Sequence, residues 1–259
     1  MDHEAALAAF DQQMRKNARA DTPGARIERV GDVVRQVPTD KDGWTGVVWS
    51  ALDEATAEAA IADQIRYFAG LGRAFEWKHY GHDLPRDLPQ RLLAAGFEAE
   101  REEAVMVAEI ADLDLEVAPP DGVQLVPVSD EASIDRLARV HEEVFGTDHG
   151  RLAHELGARL ADAPETMAAV VAMAGTRAVC SARVELHTGT AFASLWGGGT
   201  LPSFRGRGVY RATVAYRARL AAARGFRYVQ VDALPASRVI LERLGFAQLT
   251  TTTPYVRRV

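Results

Sequence analysis

Apolar residues along the chain recur at two spacings, about 3.6 and about 2, and each run marks an element. Leu7, Phe10 and Met14 share one face of a helix predicted over 4–20, stopped by Asp21-Thr22-Pro23-Gly24. Stretches 25–30 and 33–37 flank Gly31-Asp32 and predict a hairpin. A strand over 46–52 leads to a helix over 53–69, with Ile61, Ile65 and Phe68 on one face and Gly70 at its end. A strand over 75–80, a short helix over 88–95 closed by Gly96, and one long or two short strands over 97–110 follow.

Val117-Ala118-Pro119-Pro120-Asp121-Gly122 has the composition of a linker and sets the expected domain boundary, 1–118 and 119–259. Beyond it comes a strand over 123–128. A helix capped by Ser129 or Asp130 runs to Phe145, with Ile134, Leu137 and Val144 inward. The chain breaks at 146–150, and Leu152, Leu156 and Leu160 mark a second helix. Strands are predicted over 167–174, 178–186 and 191–196, a helix over 209–224, a strand over 228–232, a helix over 236–244 and final strands over 246–256.

The two halves share an element order. Leu92-Leu93-Ala94-Ala95-Gly96-Phe97 parallels Leu241-Glu242-Arg243-Leu244-Gly245-Phe246, each after a longer helix and a strand. The pattern predicts an α+β chain with two domains of one ancestry, each a mixed, mostly antiparallel sheet flanked by helices.

Composition narrows the function classes. A formal net charge of −6 argues against a general nucleic-acid partner. No apolar run approaches the roughly 20 residues of a membrane span, and the N-terminus lacks a signal-peptide pattern, so a cytoplasmic chain without a membrane partner is expected. The single cysteine, Cys180, lies in an apolar strand-like run and reads as a structural thiol. His79, His82 and Asp83 cluster near one turn without an evident fourth ligand, and no metal is expected.

The chemistry concentrates in Ser194–Ala212, SLWGGGTLPSFRGRGVYRA. An apolar strand runs into three glycines, Pro202 breaks the chain, and Arg205-Gly206-Arg207-Gly208 opens a helix. A strand, a Gly-rich turn and a helix start make an anion site, because backbone N–H groups approach closely and the helix N-terminus is electropositive. Arg205, Arg207 and Arg211 add forked donors suited to phosphate. The equivalent turn of the first half, Trp49-Ser50-Ala51-Leu52-Asp53, has neither glycine nor arginine, and Asp53 and Glu54 would repel an anion there.

Arg205, Gly208 and Tyr210, with Pro202 and Phe204 upstream, resemble the Arg/Gln-x-x-Gly-x-Gly/Ala motif of the GNAT (Gcn5-related N-acetyltransferase) superfamily. Tyr210 departs from the motif's small last residue. Ile240–Phe246 resembles the Leu-Tyr-x-x-Leu-Gly-Phe ending that follows in the same order, and the likeness covers about 122–259. It implies two GNAT-like domains, a degenerate first one and a second that binds acetyl-CoA as acyl donor. Backbone at Gly198, Gly199 and Thr200 would pair with the pantetheine arm. Arg205, Gly206, Arg207, Gly208, Val209, Tyr210 and Arg211 would hold the pyrophosphate, and Ser237 would bond the cofactor or cap its helix.

The resemblance implies transfer of an acyl group to the amine of a small molecule or peptide. The usual acid and base positions are empty, however, because Leu241 stands where many members have Tyr and Gln230 where some have Glu. Candidate replacements are Tyr210, Asp232, Glu142 and Glu143, with His141, His149, Glu185 and Trp196 along the expected acceptor wall. A non-catalytic acyl-CoA binding or sensing protein is the alternative class. Monomer and homodimer both remain open.

Overall fold

The structure, a computed structural model, describes residues 1–20, 24–39 and 43–258. The expected helix stop at Asp21-Thr22-Pro23 lies outside them. In chain order, helix α1 (His3–Phe10) continues as a π-helical turn, Asp11–Lys16. Strands β1 (Arg26–Val30), β2 (Val33–Val37) and β3 (Gly46–Ser50) lead to α2 (Ala57–Gly70), β4 (Phe75–Tyr80), α3 (Leu88–Ala94), β5 (Glu98–Ala99) and β6 (Glu103–Glu109). Then come β7 (Val123–Pro127), α4 (Glu131–Phe145), α5 (His149–Asp162), β8 (Met167–Ala174), β9 (Arg177–Leu186) and β10 (Phe192–Thr200). The chain ends with α6 (Val209–Ala223), β11 (Tyr228–Ala233), α7 (Pro235–Arg243) and β12 (Ala247–Arg257).

Two compact units emerge. The first comprises residues 2–106, 232–239 and 248–259, and the second comprises Met1, 107–231 and 240–247. Both carry the order β-β-β-α-β: β1, β2, β3, α2, β4 in the first unit and β8, β9, β10, α6, β11 in the second. In each, the last two strands pair in parallel across the helix, β3 with β4 and β10 with β11, while the preceding strands pair antiparallel.

In the first unit, Gly31-Asp32 closes a two-residue hairpin with Val30 opposite Val33, and Gly31 has φ 56°. Such a turn needs the left-handed region that glycine enters freely. The inner faces bury Val33, Val47, Phe68, Trp77, Leu88, Leu92 and Phe97, with Phe68 stacked on Phe75 at 4.3 Å. The last strand, β12, joins this unit: it pairs antiparallel with β4, from Thr252 opposite Tyr80 to Arg257 opposite Phe75. Lys78 of β4 donates to Asp232 at 2.7 Å. The Asp83 carboxylate takes both oxygens to Arg15 (2.7 and 2.8 Å), and His82 lies between Asp11 and Thr250. These groups tie the π-helical turn Asp11–Lys16 to the loop after β4 and, through Thr250, to β12.

In the second unit, α4 starts on a capping box. The Asp130 carboxylate accepts from the Ser133 N–H, and the Ser133 hydroxyl accepts from the Asp130 N–H. α4 ends at Gly146, which is left-handed (φ 71°). Leu137 of α4 and Leu152 and Leu156 of α5 bury against Met167, Ala169 and Val171 of β8. On the opposite face of the sheet, Val209 of α6 packs against Ala172, Val179 and Cys180. β10 is thus covered by α4 on one face and α6 on the other.

Candidate active site in the second unit

β10 holds the site because it is irregular on both edges. On one edge, Trp196 opposes Arg183 and Gly199 opposes Ser181, so Gly197 and Gly198 share the single partner position of Ala182. This is a β-bulge, and Gly197 sits in it with φ 57°. On the other edge, the parallel ladder with β11 runs from Phe192–Tyr228 to Ser194–Gln230. Among the described residues, β10 then continues to Thr200 with no partner on that side. A bulge bends a strand away from its neighbour, in keeping with the end of the parallel ladder at Ser194–Gln230.

The glycines expected to form a turn after the strand instead lie within it. Crowding explains their size. A Cβ on Gly198 would fall 2.8 Å from the Tyr210 ring and 3.3 Å from Arg217 Nη2, and one on Gly199 would fall 2.6 Å from the Phe145 ring. Side chains of α6 and α4 therefore press the strand from both faces where it bulges.

Beyond Thr200 the chain turns through Pro202–Phe204 into Arg205–Gly208. Gly206 (φ 72°) and Gly208 (φ 87°) are left-handed, and nothing lies within 4 Å of a Cβ built on either. Gly208 is the N-cap of α6 and supplies no side-chain cap. The first helical hydrogen bond is Ala212 N–H to the Gly208 carbonyl, at 3.0 Å. The N–H groups of Val209, Tyr210 and Arg211 are therefore available at the positive end of the helix. Arg205, Arg207 and Arg211 are exposed around the loop. Arg205 Nε donates to the Thr200 carbonyl at 3.0 Å, the Arg207 guanidinium lies over the Phe204 ring, and Arg211 pairs with Asp114 at 3.2 Å.

The first unit shows the contrary arrangement. The Asp53 carboxylate accepts from the backbone N–H groups of Ala55 (3.0 Å) and Thr56 (2.8 Å) and from the Thr56 hydroxyl (2.7 Å). These bonds hold Asp53 below the usual carboxylate range. The turn that leads into α2 thus carries an anion of its own.

No protein-family model matches the sequence, and no curated protein matches it. Solved structures do match in shape. A GCN5-related N-acetyltransferase from Kribbella flavida superposes with a TM-score of 0.70 at 17% identity, over 98% of this chain and 93% of its own. A functionally unknown conserved protein from Staphylococcus epidermidis gives 0.67 at 13% identity, over 94% and 96%. A tandem GNAT protein from the clavulanic acid biosynthesis pathway gives 0.66 at 12% identity, over 98% and 93%. The chain has the tandem GNAT fold.

Within this GNAT fold the expected site residues divide. Gly198, Gly199 and Thr200 on β10 and Arg205 to Arg211 at the start of α6 all lie in the second unit, with Gly199, Thr200 and Val209 buried and Arg205 to Gly208 and Arg211 exposed. Ser237, in the first turn of α7, belongs to the first unit, where its N–H donates to the Leu234 carbonyl. Asp232 also belongs to the first unit; its side chain is 6% exposed and paired with Lys78. Glu142 and Glu143 are exposed on α4, and Glu143 lies 3.6 Å from Arg177. Leu241 is fully buried, and Gln230 accepts from the Ser194 hydroxyl at 2.8 Å. His149, at the start of α5, meets Asp135 at 3.0 Å.

Tyr210 packs behind Gly198 beside Arg217, and burial pushes its phenol up, with Arg217 opposing. Sequence reading missed Arg217. It is 1% exposed on the sheet-facing side of α6 and has no carboxylate partner among the described residues. Its Nε donates to Thr213, its Nη1 donates to the carbonyls of Arg183 (3.1 Å) and Trp196 (3.4 Å), and its Nη2 has no partner. Burial pulls the guanidinium below its usual range. A buried unpaired cation is costly, and here it lies under the backbone of the bulge. A lone Arg among Thr213, Val214, Ala218 and Ala221 on an inward helix face was the available signal.

His141 of α4 flanks the bulge on the opposite face. A Cβ on Gly197 would fall 3.1 Å from its imidazole, and its Nδ1 meets the Thr147 hydroxyl at 2.8 Å. Burial first, and the Arg183 charge second, bring it down to about 4. His141 is neutral at pH 7. Because its folded value lies below the unfolded value of about 6.5, the unfolded chain takes the extra proton first as pH falls. Its contribution to stability is therefore intact above about 6.5 and is lost toward about 4. Imidazole NMR should show His141 titrating near the bottom of that window. The urea midpoint of His141→Phe should fall less between those pH values than that of the natural chain.

Proposed function

We propose that the second unit is an acyl-CoA-dependent N-acyltransferase, with acetyl-CoA as donor and the amine of a small molecule or peptide as acceptor. One observation carries this reading: the open edge of β10 leads directly from a bulge into an uncapped helix start ringed by three exposed arginines. The GNAT fold supports it. Backbone of Gly198, Gly199 and Thr200 holds the pantetheine arm, and the N–H groups of Gly206 to Arg211 hold the pyrophosphate, with Arg205, Arg207 and Arg211 adding charge. Acetyl-CoA supplies an activated thioester.

The chain's own part is alignment and charge. β10 and α6 fix the thioester, α4 and the bulge direct the amine toward it, and backbone N–H groups meet the charge developing on the carbonyl oxygen. Arg217 fixes the bulge by holding two of its carbonyl neighbours. A thiolate with a pKa near about 8.5, by analogy with cysteine, departs near neutral pH without a dedicated donor. The buried Leu241 and the bonded Gln230 are therefore compatible with turnover. The amine proton leaves toward Glu142 or Glu143 through water, past His141. The first unit binds no CoA, because the Asp53 carboxylate already takes the N–H groups of the turn that leads into α2.

The test combines calorimetry and turnover. Titration with CoA should give one site per chain, and acetyl-CoA with an amine panel should release free thiol. Two sites per chain would overturn the assignment of the first unit. One site without thiol release from any amine would make this a non-catalytic acyl-CoA binding protein, the reading that Leu241 and Gln230 favour.

A further inference from the structure

The α4-facing side of the bulge carries an unbalanced positive charge beside exposed aromatic surface. Arg183 of β9 and Trp196 of β10 are register partners and so point to the same face. The Arg183 guanidinium lies 5.8 Å from the centre of the Trp196 ring, and its Nη1 lies 3.2 Å from where a Gly197 Cβ would be. Its side-chain partner is Glu185, which meets Nε at 3.4 Å. Glu185 is itself 8% exposed and bound more closely, at 3.0 Å, by Arg159 of α5. Two arginines thus share one carboxylate.

The remaining charge sits on Arg183, whose two Nη groups donate no hydrogen bond to the described chain. His141, across the bulge, is neutral and cancels nothing. Trp196 is 40% exposed and Phe145 is 49% exposed, and the Phe145 ring lies 4.5 Å from that of His141.

We propose that the acceptor is an amine that also carries a carboxylate, an amino-acid-like acceptor, with the carboxylate held by Arg183 and its apolar part against Trp196 and Phe145. This rests on the acyltransferase reading above. One surplus positive charge matches a monoanion. A dianionic phosphate would draw more cations than the wall offers, and a polyamine would be repelled by Arg183. The forked Nη pair suits a planar carboxylate. Bound there, a carboxylate would also remove one of the two influences that hold His141 down.

The experiment compares phenylalanine, phenylalaninamide and spermidine as acceptors for the full-length chain with acetyl-CoA, following free thiol. Calorimetric binding of the same three to the CoA-loaded chain is measured alongside. A charge-assisted carboxylate contact should favour phenylalanine over its amide by about 10- to 100-fold in kcat/KM. Arg183→Gln should erase that ratio, mainly through KM, with CoA affinity unchanged. Arg183→Lys, which keeps the charge and loses the fork, should retain part of it and guards against a variant that fails to fold. Equal or better use of the amide or spermidine, or a ratio unchanged in a folded Arg183→Gln, overturns the proposal. If no amine releases thiol, the acyltransferase reading fails by itself. Arg183-dependent preference in the binding arm then still supports a carboxylate site, and its absence rejects one.

Discussion

Gly208→Asp should lose CoA affinity by at least about a hundredfold, some 2.8 kcal/mol, while the chain stays folded. Gly208 is exposed, left-handed at φ 87° and clear of any neighbour within 4 Å of a Cβ, so a side chain meets no obstacle. The backbone conformation costs a non-glycine residue about 1 kcal/mol, and Asp is among the residues that tolerate it best. The carboxylate, however, lands at the start of α6, where the N–H groups of Val209 to Arg211 are available. It would accept from those N–H groups, much as Asp53 accepts from the Thr56 N–H at 2.8 Å in the turn before α2 of the first unit. A pyrophosphate arriving there would lose its donors and face a like charge. Calorimetry with CoA and a thermal melt together check this. Gly208→Ala, with the same backbone strain and no charge, should lose much less. Natural affinity in a folded Gly208→Asp would remove the anion loop from the proposed function.

Asp232→Ala should destabilise the chain by about 2–3 kcal/mol and lower its melting temperature by roughly 4–12 °C, with turnover per folded molecule largely retained. The pair it breaks is Lys78 Nζ to Asp232 Oδ2 at 2.7 Å, with the carboxylate side chain 6% exposed. Removing one member leaves a mostly buried ammonium without its closest counter-charge, which costs more than the pair itself contributes. The figure sits at the low end of the usual range for two reasons. Lys78 keeps 23% of its side chain in water, and the carboxyls of Glu76 and Glu103 lie near enough to feel its charge. Burial pushes both of those carboxyls up, with Lys78 opposing. Lys78→Met in the same chain should recover part of the loss. A hundredfold drop in turnover with an unchanged melt would instead make Asp232 a proton acceptor in the reaction.

Legibility differed by element for physical reasons. β4 matched its predicted bounds, 75–80, because its alternation places Phe75 and Trp77 inside and Glu76 and Lys78 toward the other face. α4 began at its expected cap because Asp130 and Ser133 bond the helix start locally. α2 starts at Ala57 rather than at 53 because Asp53 and Thr56 spend their side chains on the turn before it. Expected as one helix to residue 20, the first element turns π-helical after Phe10.

Local signals determined most of what the sequence settled by itself: the order of strands and helices, the repeat of that order, the open Gly-rich helix start at 205–208 and its acidic counterpart at Asp53. Each depends on residues within a turn or two of one another, where backbone conformation, helix dipole and side-chain caps act. Tertiary structure alone decided the rest. It carried the three glycines through as strand, because β9 pairs on both sides of the bulge, Arg183 with Trp196 and Ser181 with Gly199. It took Asp232 out of solvent by setting Lys78, 154 positions away, against it. It placed β12 beside β4, buried Arg217 under the bulge without a counter-charge, and set Arg183 beside Trp196. Those contacts join residues far apart in the chain, and pairing register, burial and charge balance exist only once the strands and helices that carry them have packed.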